Sequence, residues 1–287
     1  MAKAKAKDIL IYEKYRDVDA FYAAISSREN NIPMKSANSA TRGDDWTGTA
    51  SWDEALELYR HGKPERVVAL RQSLDRIRAQ CNAAAETSKV RPRNYYYGHA
   101  PNVPAAMAGM PKSMRQNVRQ PQKVKTVNIV YDMGIVAYTD AAEIERGGET
   151  VLQLVAMLEH SGYRVQLDMC PYTGHRNNLY AAVVVTLKEF KQPLDLLKLS
   201  FPLGSASMFR RFGFRWLETV PALDDAPRAT AEGFAWGYGT PLEPEETAKQ
   251  LETIGYRADQ THVIKLQTVR AANFDPRKLA EQLKIAR

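Results

Sequence analysis

Residues 124–132 read VKTVNIVYD, an apolar and β-branched run that ends in a carboxylate. This composition predicts a buried strand. Asp140, with Glu143 three residues later, predicts a capped helix that continues to Gly162. Residues 163–170 alternate in polarity and predict a second strand. Strand, helix and strand in this order form a βαβ unit, which places the two strands parallel in one sheet.

The other segments extend this unit into an α/β fold. We expect a single mixed, mostly parallel sheet with helices on both faces, in a Rossmann-like or von Willebrand A-like layering. Residues 179–187 form a near-continuous apolar run and predict a central strand. Residues 1–45 are predicted to be an N-terminal extension with a short strand, a helix and a polar loop, and residues 46–287 a single α/β domain.

The composition indicates a folded protein with a sizeable core. Of the 287 residues, 44% are apolar, so disorder is not expected. No apolar run reaches the roughly 18 residues of a membrane helix, and the basic N-terminus lacks the apolar segment of a secretory signal. Cys81 and Cys170 form neither a disulfide framework nor a C-x-x-C pair. We therefore expect a cytoplasmic protein that does not bind membranes.

Positive charge is concentrated in one segment. The net charge is +7 at pH 7, and residues 87–131 contain no Asp or Glu at all. These 45 positions hold eight cations and thus carry +8 by themselves. The cations are Lys89, Arg91, Arg93, Lys112, Arg115, Arg119, Lys123 and Lys125. A local basic segment of this kind indicates a polyanionic partner.

Three consecutive tyrosines, Tyr95, Tyr96 and Tyr97, lie in the basic segment and follow Arg91 and Arg93. Single-strand-binding proteins combine a positive groove with aromatic side chains, and each stacked base contributes about 1–3 kcal/mol. The run therefore predicts a stacking surface. The alternative is a strand that uses both faces, with one tyrosine in the core and another on the surface, and both interpretations stay open at this point.

A second basic stretch, residues 205–218, interleaves arginines with aromatic side chains and predicts a short helix followed by a strand. In one interpretation Arg210, Arg211 and Arg215 contact phosphates. In the other, the aromatic side chains pack inward and the arginines extend along them to solvent. The two stretches together supply the candidate nucleic-acid-binding residues Arg91, Arg93, Tyr95, Tyr96, Tyr97, Lys112, Arg115, Arg119, Lys123, Arg210, Arg211 and Arg215.

Catalytic and metal-binding motifs are not recognisable in the sequence. None of the five histidines stands at a metal-ligand spacing from another His or Cys. Asp132 ends the first predicted strand, where von Willebrand A-type domains hold a metal with D-x-S-x-S, but Gly134 and Val136 occupy the two serine positions. Tyr172 and His175, in a predicted polar loop, are the best acid–base candidates. We expect no cofactor, no metal and no catalytic activity.

Residues 46–52, 98–104, 109–114 and 209–218 form a recognisable signature. Together these segments resemble an uncharacterised family encoded mainly by bacteriophages and mobile elements. The resemblance covers about residues 46–218 and carries no established activity. It implies a phage or mobile-element origin, and hence the host cytoplasm as location. With this composition, such an origin suggests a phage single-stranded-DNA-binding protein.

The leading hypothesis is a non-enzymatic nucleic-acid-binding protein, with single-stranded DNA favoured, that is accessory to phage transcription or replication. A phage polymerase or replication protein is then the expected protein partner. The alternative is a protein-interaction scaffold with a degenerate von Willebrand A-like fold, and an enzyme with a site around Asp132 and His175 ranks third. Salt dependence distinguishes the first two hypotheses. Each phosphate contact on a single strand adds about 0.7 to the slope of log affinity against log salt concentration.

Overall fold

The computed structural model describes residues 9–29, 38–85, 92–117, 125–175, 179–220 and 240–285. The first half contains β1 (Ile9–Tyr15), α1 (Val18–Ser27), α2 (Asn38–Thr41), α3 (Asp44–Thr47), α4 (Trp52–His61), α5 (Pro64–Ala85), β2 (Pro92–Tyr95), β3 (Ala100–Pro101), α6 (Val103–Met107), β4 (Met114–Asn117) and β5 (Lys125–Asp132). The second half contains α7 (Ala141–His160), β6 (Tyr163–Met169), β7 (Tyr172–His175), β8 (Leu179–Lys188), α8 (Leu196–Gly204), a π-helix (Met208–Gly213), α9 (Phe214–Thr219), β9 (Thr240–Pro241), α10 (Pro244–Thr253), β10 (Thr261–Lys265), α11 (Leu266–Ala271) and α12 (Pro276–Gln282). None of the helices in these ranges is both long enough and apolar enough to cross a membrane.

The central βαβ unit has the predicted form. β5 and β6 are parallel neighbours, and α7 connects them. Asp140 caps α7 because its carboxylate accepts a hydrogen bond from the Ala142 N–H at 3.2 Å. Glu143, three residues after this cap, forms an ion pair with Arg270 of α11. The turn into β6 contains Gly162 at a φ of 87°, which glycine adopts without steric cost.

The main sheet is mixed. Its strand order is β10-β5-β6-β8-β7-β9, and β1 also pairs with β8. The pairings β10–β5, β5–β6 and β1–β8 are parallel, whereas β6–β8, β7–β8 and β7–β9 are antiparallel. The fold is therefore α/β, but the expectation of a single, mostly parallel sheet is corrected. The Rossmann-like or von Willebrand A-like layering stays a prediction.

Short connections produce the antiparallel half of the main sheet. β6 and β7 both pair antiparallel with β8, and only Cys170 and Pro171 separate the two strands. Residues 176–178 alone lie between β7 and β8 in the sequence. A link of that length joins antiparallel strands, since parallel neighbours need a crossover of about a dozen residues or more. Residues 172–175 of the predicted polar loop after Cys170 are thus a strand, while β8, with three neighbouring strands, is central as predicted.

The two faces of the main sheet are covered unequally. Val183 and Val185 of β8 belong to the larger apolar core, together with side chains of α7, α8 and α9. Ala182 and Val184 point to the opposite face and belong to a smaller core that includes Leu251 of α10. This division follows from strand geometry, in which successive side chains point to opposite faces.

Residues 9–15 and 18–27 contribute to the main sheet and to the larger core, while the division of the chain at residue 45 stays a prediction. β1 pairs in parallel with β8 over all seven of its residues. Phe21 and Ile25 of α1 are fully buried in the larger core. Asp17 caps α1, because its carboxylate accepts a hydrogen bond from the Ala20 N–H at 2.7 Å.

The second basic stretch is helical. The π-helix and α9 follow each other directly over residues 208–219, so the prediction of a strand there is wrong. Apart from half-buried Arg215, the side chains of these residues are buried. Because burial on all sides removes the contrast between an inner and an outer face, residue periodicity does not reveal a helix in such a segment.

A separate three-stranded sheet comprises residues 92–117, which we call the basic module. Its central strand is β4, which pairs antiparallel with β2 on one side and β3 on the other. α6 lies between β3 and β4 in the chain. As far as the described residues show, the hydrogen bonds of the basic module have both partners inside it.

Candidate nucleic-acid interface

The basic module places two of the predicted arginines on opposite faces of its sheet. In the pairing of β2 with β4, Arg93 lies opposite Gln116 and Asn94 lies opposite Arg115. Paired residues point to the same face, and successive residues point to opposite faces. Arg93 and Tyr95 therefore share one face, whereas Arg115 lies on the other.

Two of the three tyrosines are exposed. The side chains of Tyr96 and Tyr97 are 65% and 67% accessible to solvent, whereas Tyr95 is half-buried. The Tyr95 and Tyr97 rings meet edge to face, with their centroids 6.3 Å apart. The Lys112 ammonium lies 5.4 Å from the centroid of the Tyr96 ring, in cation–π contact. The tyrosine run thus forms an aromatic surface supported by one half-buried ring.

Gly98 lets the tyrosine loop pack closely on β4. A Cβ at this position would lie 2.6 Å from the carbonyl carbon of Arg115 and closer still to its oxygen. The neighbouring His99 N–H donates a hydrogen bond to the same carbonyl oxygen at 3.0 Å. The exposed position of Tyr96 and Tyr97 therefore depends on a residue without a side chain.

The charge of the basic module is entirely positive. Residues 92–117 contain Arg93, Lys112 and Arg115 and no acidic residue, which gives +3. All three side chains are exposed. Within the described part of the chain, none of the three forms an ion pair. They are free to contact a polyanion.

The basic module also exposes aliphatic side chains. Val103, Met107 and Met110, on α6 and just after it, are 57%, 84% and 56% accessible. With Tyr96 and Tyr97, they make up five of the eight large apolar side chains that are exposed among the described residues. Such a concentration on one small element is typical of a binding surface.

Arg210 is a structural residue, which corrects its predicted role in phosphate contact. Its side chain is fully buried and packs on Trp46, with the guanidinium carbon 4.7 Å from the ring. It donates hydrogen bonds to the backbone carbonyls of Trp46 at 2.5 Å and Thr139 at 2.9 Å. Burial lowers the pKa of Arg210 to about 10, and the nearby Asp140 carboxylate opposes this shift.

Arg211 is buried in the same way, and the prediction of a phosphate contact is corrected for it too. Its guanidinium donates to the Thr49 hydroxyl at 2.7 Å and to the backbone carbonyls of Ser39 at 2.8 Å and Thr49 at 2.6 Å. Glu218, also buried, accepts a hydrogen bond from the Ser39 N–H at 3.0 Å. The rigid five-donor fork of arginine suits this task, because it satisfies several carbonyls at once.

The remaining predicted nucleic-acid-binding residues outside the basic module are Arg215, Arg91, Arg119 and Lys123. Arg215 is half-buried and donates to the Arg28 carbonyl at 3.1 Å, where it caps the carboxyl end of α1. Arg91, Arg119 and Lys123 lie outside the described residues. The other six candidates are together in the basic module. Among the described residues, the arginines of the second stretch are thus buried or half-buried, whereas the candidates that reach solvent lie in the basic module.

Asp132 lies at the carboxyl end of β5 and is fully buried. Its carboxylate accepts hydrogen bonds from the Gly134 N–H at 2.8 Å and the Thr247 hydroxyl at 2.9 Å, and the Lys265 ammonium lies 2.8 Å away. Burial raises the pKa of Asp132, and Lys265 partly opposes the shift. The described residues contain no group of three or more His, Cys, Asp or Glu that could hold a metal ion. The side chain of His175 lies outside them.

A second buried carboxylate lies on the same face of the main sheet. Asp168 accepts hydrogen bonds from the Tyr256 hydroxyl at 2.7 Å and the Gln166 amide at 2.8 Å. Burial raises the pKa of Tyr256 and of Cys170, so that both stay protonated near neutral pH. Thr247, Tyr256 and Lys265 were missed in the sequence because each stands alone there, far from the aspartate that it contacts.

Comparison with known proteins identifies a family. A family model described as a domain of unknown function, DUF7192, matches residues 6–270. No curated protein and no solved structure matches the chain. The match agrees with the resemblance to an uncharacterised family, whereas the phage or mobile-element origin stays a prediction. Because the match spans most of its length, the chain belongs to the DUF7192 family.

Proposed function

We propose that the protein binds single-stranded nucleic acid through the basic module. The observation that carries the proposal is the exposure of Tyr96 and Tyr97 together with three exposed cations in a segment without acidic residues. Binding of this kind needs no catalytic group, and we propose a non-enzymatic role. An accessory role with a phage polymerase or replication protein as partner stays a prediction from the sequence.

The chemistry of the basic module favours single strands over duplexes. Exposed tyrosine rings stack on bases that are free on one face, whereas the bases of a duplex are already stacked on each other. Single-stranded DNA and RNA both offer such bases, and Arg93, Lys112 and Arg115 can neutralise the phosphates that connect them. Because Arg93 and Arg115 lie on opposite faces of the three-stranded sheet, a nucleic-acid strand could contact both by passing around the edge of the sheet.

A protein partner is the second candidate, and the exposed aliphatic side chains favour it. Val103, Met107 and Met110 offer no charge for a phosphate and little surface for a base. A scaffold that docks through them would bind its partner with little dependence on salt, since no counterions are released. Salt dependence therefore distinguishes the two proposals.

Removal of either exposed tyrosine should weaken single-strand binding. We expect Tyr96→Ala and Tyr97→Ala each to reduce the affinity roughly 5- to 150-fold, because each removes about 1–3 kcal/mol of stacking. The measurement is fluorescence anisotropy of a labelled single-stranded 30-mer and of its duplex. Tyr138→Ala is the matched control, since Tyr138 is 88% exposed but lies outside the basic module. Equal affinities of all three variants would rule out the tyrosine surface.

The cations of the basic module should set the salt dependence. Each of the changes Arg93→Ala, Lys112→Ala and Arg115→Ala should lower the log–log salt slope by about 0.7, the value for one phosphate contact on a single strand. The slope comes from the same anisotropy titration at several salt concentrations. Arg76→Ala removes an exposed cation from α5 and should leave the slope unchanged. Unchanged slopes in the module variants would favour the protein partner.

Gly98→Ala tests whether the loop conformation matters apart from the rings. The added Cβ would push the tyrosine loop away from β4, so we expect a loss of affinity comparable to that of removing one ring, roughly 5-fold or more. The melting temperature of the protein should stay near that of the wild type, because the main sheet is not touched. Gly43→Ala is the comparison, as no atom lies within 4 Å of its Cβ and its φ is not positive. If both variants bind equally well, the close approach of Gly98 is irrelevant to binding.

A further inference from the structure

Three buried oxygens on one face of the main sheet have no hydrogen-bond partner among the described residues. They are Oδ1 of Asn128, Oδ1 of Asp168 and Oγ1 of Thr261. A carboxylate oxygen and an amide oxygen can only accept hydrogen bonds. Burial of such an atom without a partner is unfavourable, and native proteins contain few of them. A donor or a cation beside these oxygens would therefore stabilise the fold.

The strand register brings the three residues together. Thr261 of β10 lies opposite Asn128 of β5, and Asn128 lies opposite Gln166 of β6. Asp168 follows Gln166 by two residues, so both point to the same face of the sheet. Val130 lies opposite Asp168 and belongs to the smaller core, which identifies that face. The three oxygens thus belong to neighbouring strands and to one side of the sheet.

Asp168 is the charged member of this group. Its side chain is 0% exposed, and in the part of the chain that the structure describes it forms no ion pair. The Tyr256 hydroxyl at 2.7 Å and the Gln166 amide at 2.8 Å both donate to Oδ2, the other carboxylate oxygen. Lys265, a buried cation on the same face, pairs with Asp132 instead, at 2.8 Å. The negative charge of Asp168 is therefore not balanced by a cation in contact with it.

The chemistry of these atoms selects a hard cation of low charge. All three are oxygens, without the nitrogen or sulfur that zinc and other transition metals prefer. Calcium sites use about 6–8 oxygens, often from several carboxylates, whereas a single carboxylate balances one positive charge. Hard cations bind oxygens at about 2.3–2.6 Å, so one ion can bridge oxygens on neighbouring strands, which lie about 4.8 Å apart.

We propose that Asp168, Asn128 and Thr261 bind a monovalent metal cation, sodium or potassium, on this face of the main sheet. Asp168 supplies the negative charge, and the Asn128 amide oxygen and the Thr261 hydroxyl are neutral ligands. Tyr256 and Gln166 are positioning residues, because they hold the carboxylate by its other oxygen. The cation connects β10, β5 and β6 and so stabilises the sheet. The site lies outside the basic module and does not depend on nucleic-acid binding.

The test compares the melting temperature of the full chain in sodium, potassium and choline chloride at equal ionic strength. Choline is too large to enter a site between neighbouring strands. We expect a melting temperature roughly 2–5 °C higher in sodium or potassium chloride, which rises with the concentration of the cation, because a ligand that binds only the folded protein stabilises it by mass action. Equal melting temperatures in the three salts would overturn the proposal. A buried water or a rotated Asn128 amide would then satisfy the oxygens.

Two variants tie the cation to this place. Asp168→Asn removes the charge with little change of shape and should abolish the difference between the salts, and Thr261→Val should reduce it. Glu218→Gln is the matched control, since Glu218 is also a fully buried carboxylate but interacts with Ser39. This control should keep the full difference between the salts, even if its melting temperature is lower. A full difference in Asp168→Asn would place the cation elsewhere and overturn the assignment.

Asn128→Asp distinguishes a bound cation from an amide that donates to Asp168. With a cation site, the second carboxylate should add a response to calcium, because affinity for calcium increases with the charge of the ligands. We expect millimolar calcium chloride to raise the melting temperature of this variant by roughly 2 °C or more and to leave the wild type unchanged. If the Asn128 amide is the donor, the variant brings two carboxylates together and is destabilised equally in every salt. That result would overturn the proposal even if Asp168→Asn does not fold.

Discussion

Replacement of Gly148 by alanine is expected to destabilise the folded protein strongly. Gly148 lies in α7 where this helix touches α8, and a Cβ there would be 2.5 Å from the carbonyl carbon of Leu203 and closer still to its oxygen. The obstacle is the backbone of another helix, so no change of rotamer relieves it. We expect a loss of roughly 3 kcal/mol or more in the free energy of unfolding. That is a large part of the ~5–15 kcal/mol that stabilises a domain.

Urea denaturation measures the change in the free energy of unfolding, and the sign of this change is informative. In a helix interior, glycine to alanine normally stabilises by about 1 kcal/mol, so a loss must come from the contact with α8. Gly147→Ala is a graded comparison, because its Cβ would meet the movable end of the Leu266 side chain at 2.5 Å. Gly43→Ala is the neutral control, with no atom within 4 Å. A stabilised Gly148→Ala protein would show that α7 and α8 are not packed as described.

Breaking the buried ion pair between Asp132 and Lys265 should have an effect of similar size. The two side chains are 0% and 1% exposed, and the ammonium lies 2.8 Å from the carboxylate. Lys265→Met leaves the Asp132 carboxylate buried without this cation, although the hydrogen bonds from Gly134 and Thr247 remain. Loss of one partner of a buried pair costs about 3–5 kcal/mol. We expect a decrease of that order in the free energy of unfolding at neutral pH.

The double variant Asp132→Asn with Lys265→Met distinguishes the energy of the ion pair from the effects of the surrounding residues. It removes both charges and should be more stable than Lys265→Met alone, which a double-mutant cycle by urea denaturation detects. Arg257→Ala is the control for an exposed ion pair, since Arg257 and Asp259 are 66% and 63% exposed, and it should change the stability by less than about 1 kcal/mol. Strictly additive effects of the two buried changes would contradict the pairing.

The pH dependence of Lys265→Met provides a second readout. Lys265 holds down the pKa of Asp132, which burial raises, so its removal should raise that pKa further. A carboxyl group whose pKa is higher in the folded than in the unfolded protein favours folding below the unfolded pKa, and this contribution is lost as the pH rises through the folded value. The deficit of the variant relative to the wild type should therefore shrink on acidification.

Local patterns were sufficient for the central βαβ unit. The apolar run of β5, the cap at Asp140 and the alternation of β6 each report on a few neighbouring residues, and each was read correctly from the sequence. The course of the chain after β6 was not predicted correctly. Its mixed pairing follows from the short links on either side of β7, whose strand character the polar residues Thr173 and His175 concealed.

The second basic stretch shows where local reasoning fails. Arg210 and Arg211 stand among aromatic residues in the same way as phosphate-binding arginines would. Their partners are backbone carbonyls and threonine hydroxyls of residues 39–49 and 136–139, which are far away in the sequence. Nothing in the order of residues indicates that these segments converge on the π-helix.

The sequence by itself determined the α/β class, the βαβ unit and the position of the acid-free basic segment, because composition and periodicity are local properties of the chain. Only the tertiary structure decided which charges reach solvent. It exposes Arg93, Tyr96 and Arg115 on a small sheet and buries Arg210 and Arg211 beneath other segments. The physical reason is that burial and ion pairing depend on contacts between residues distant in sequence.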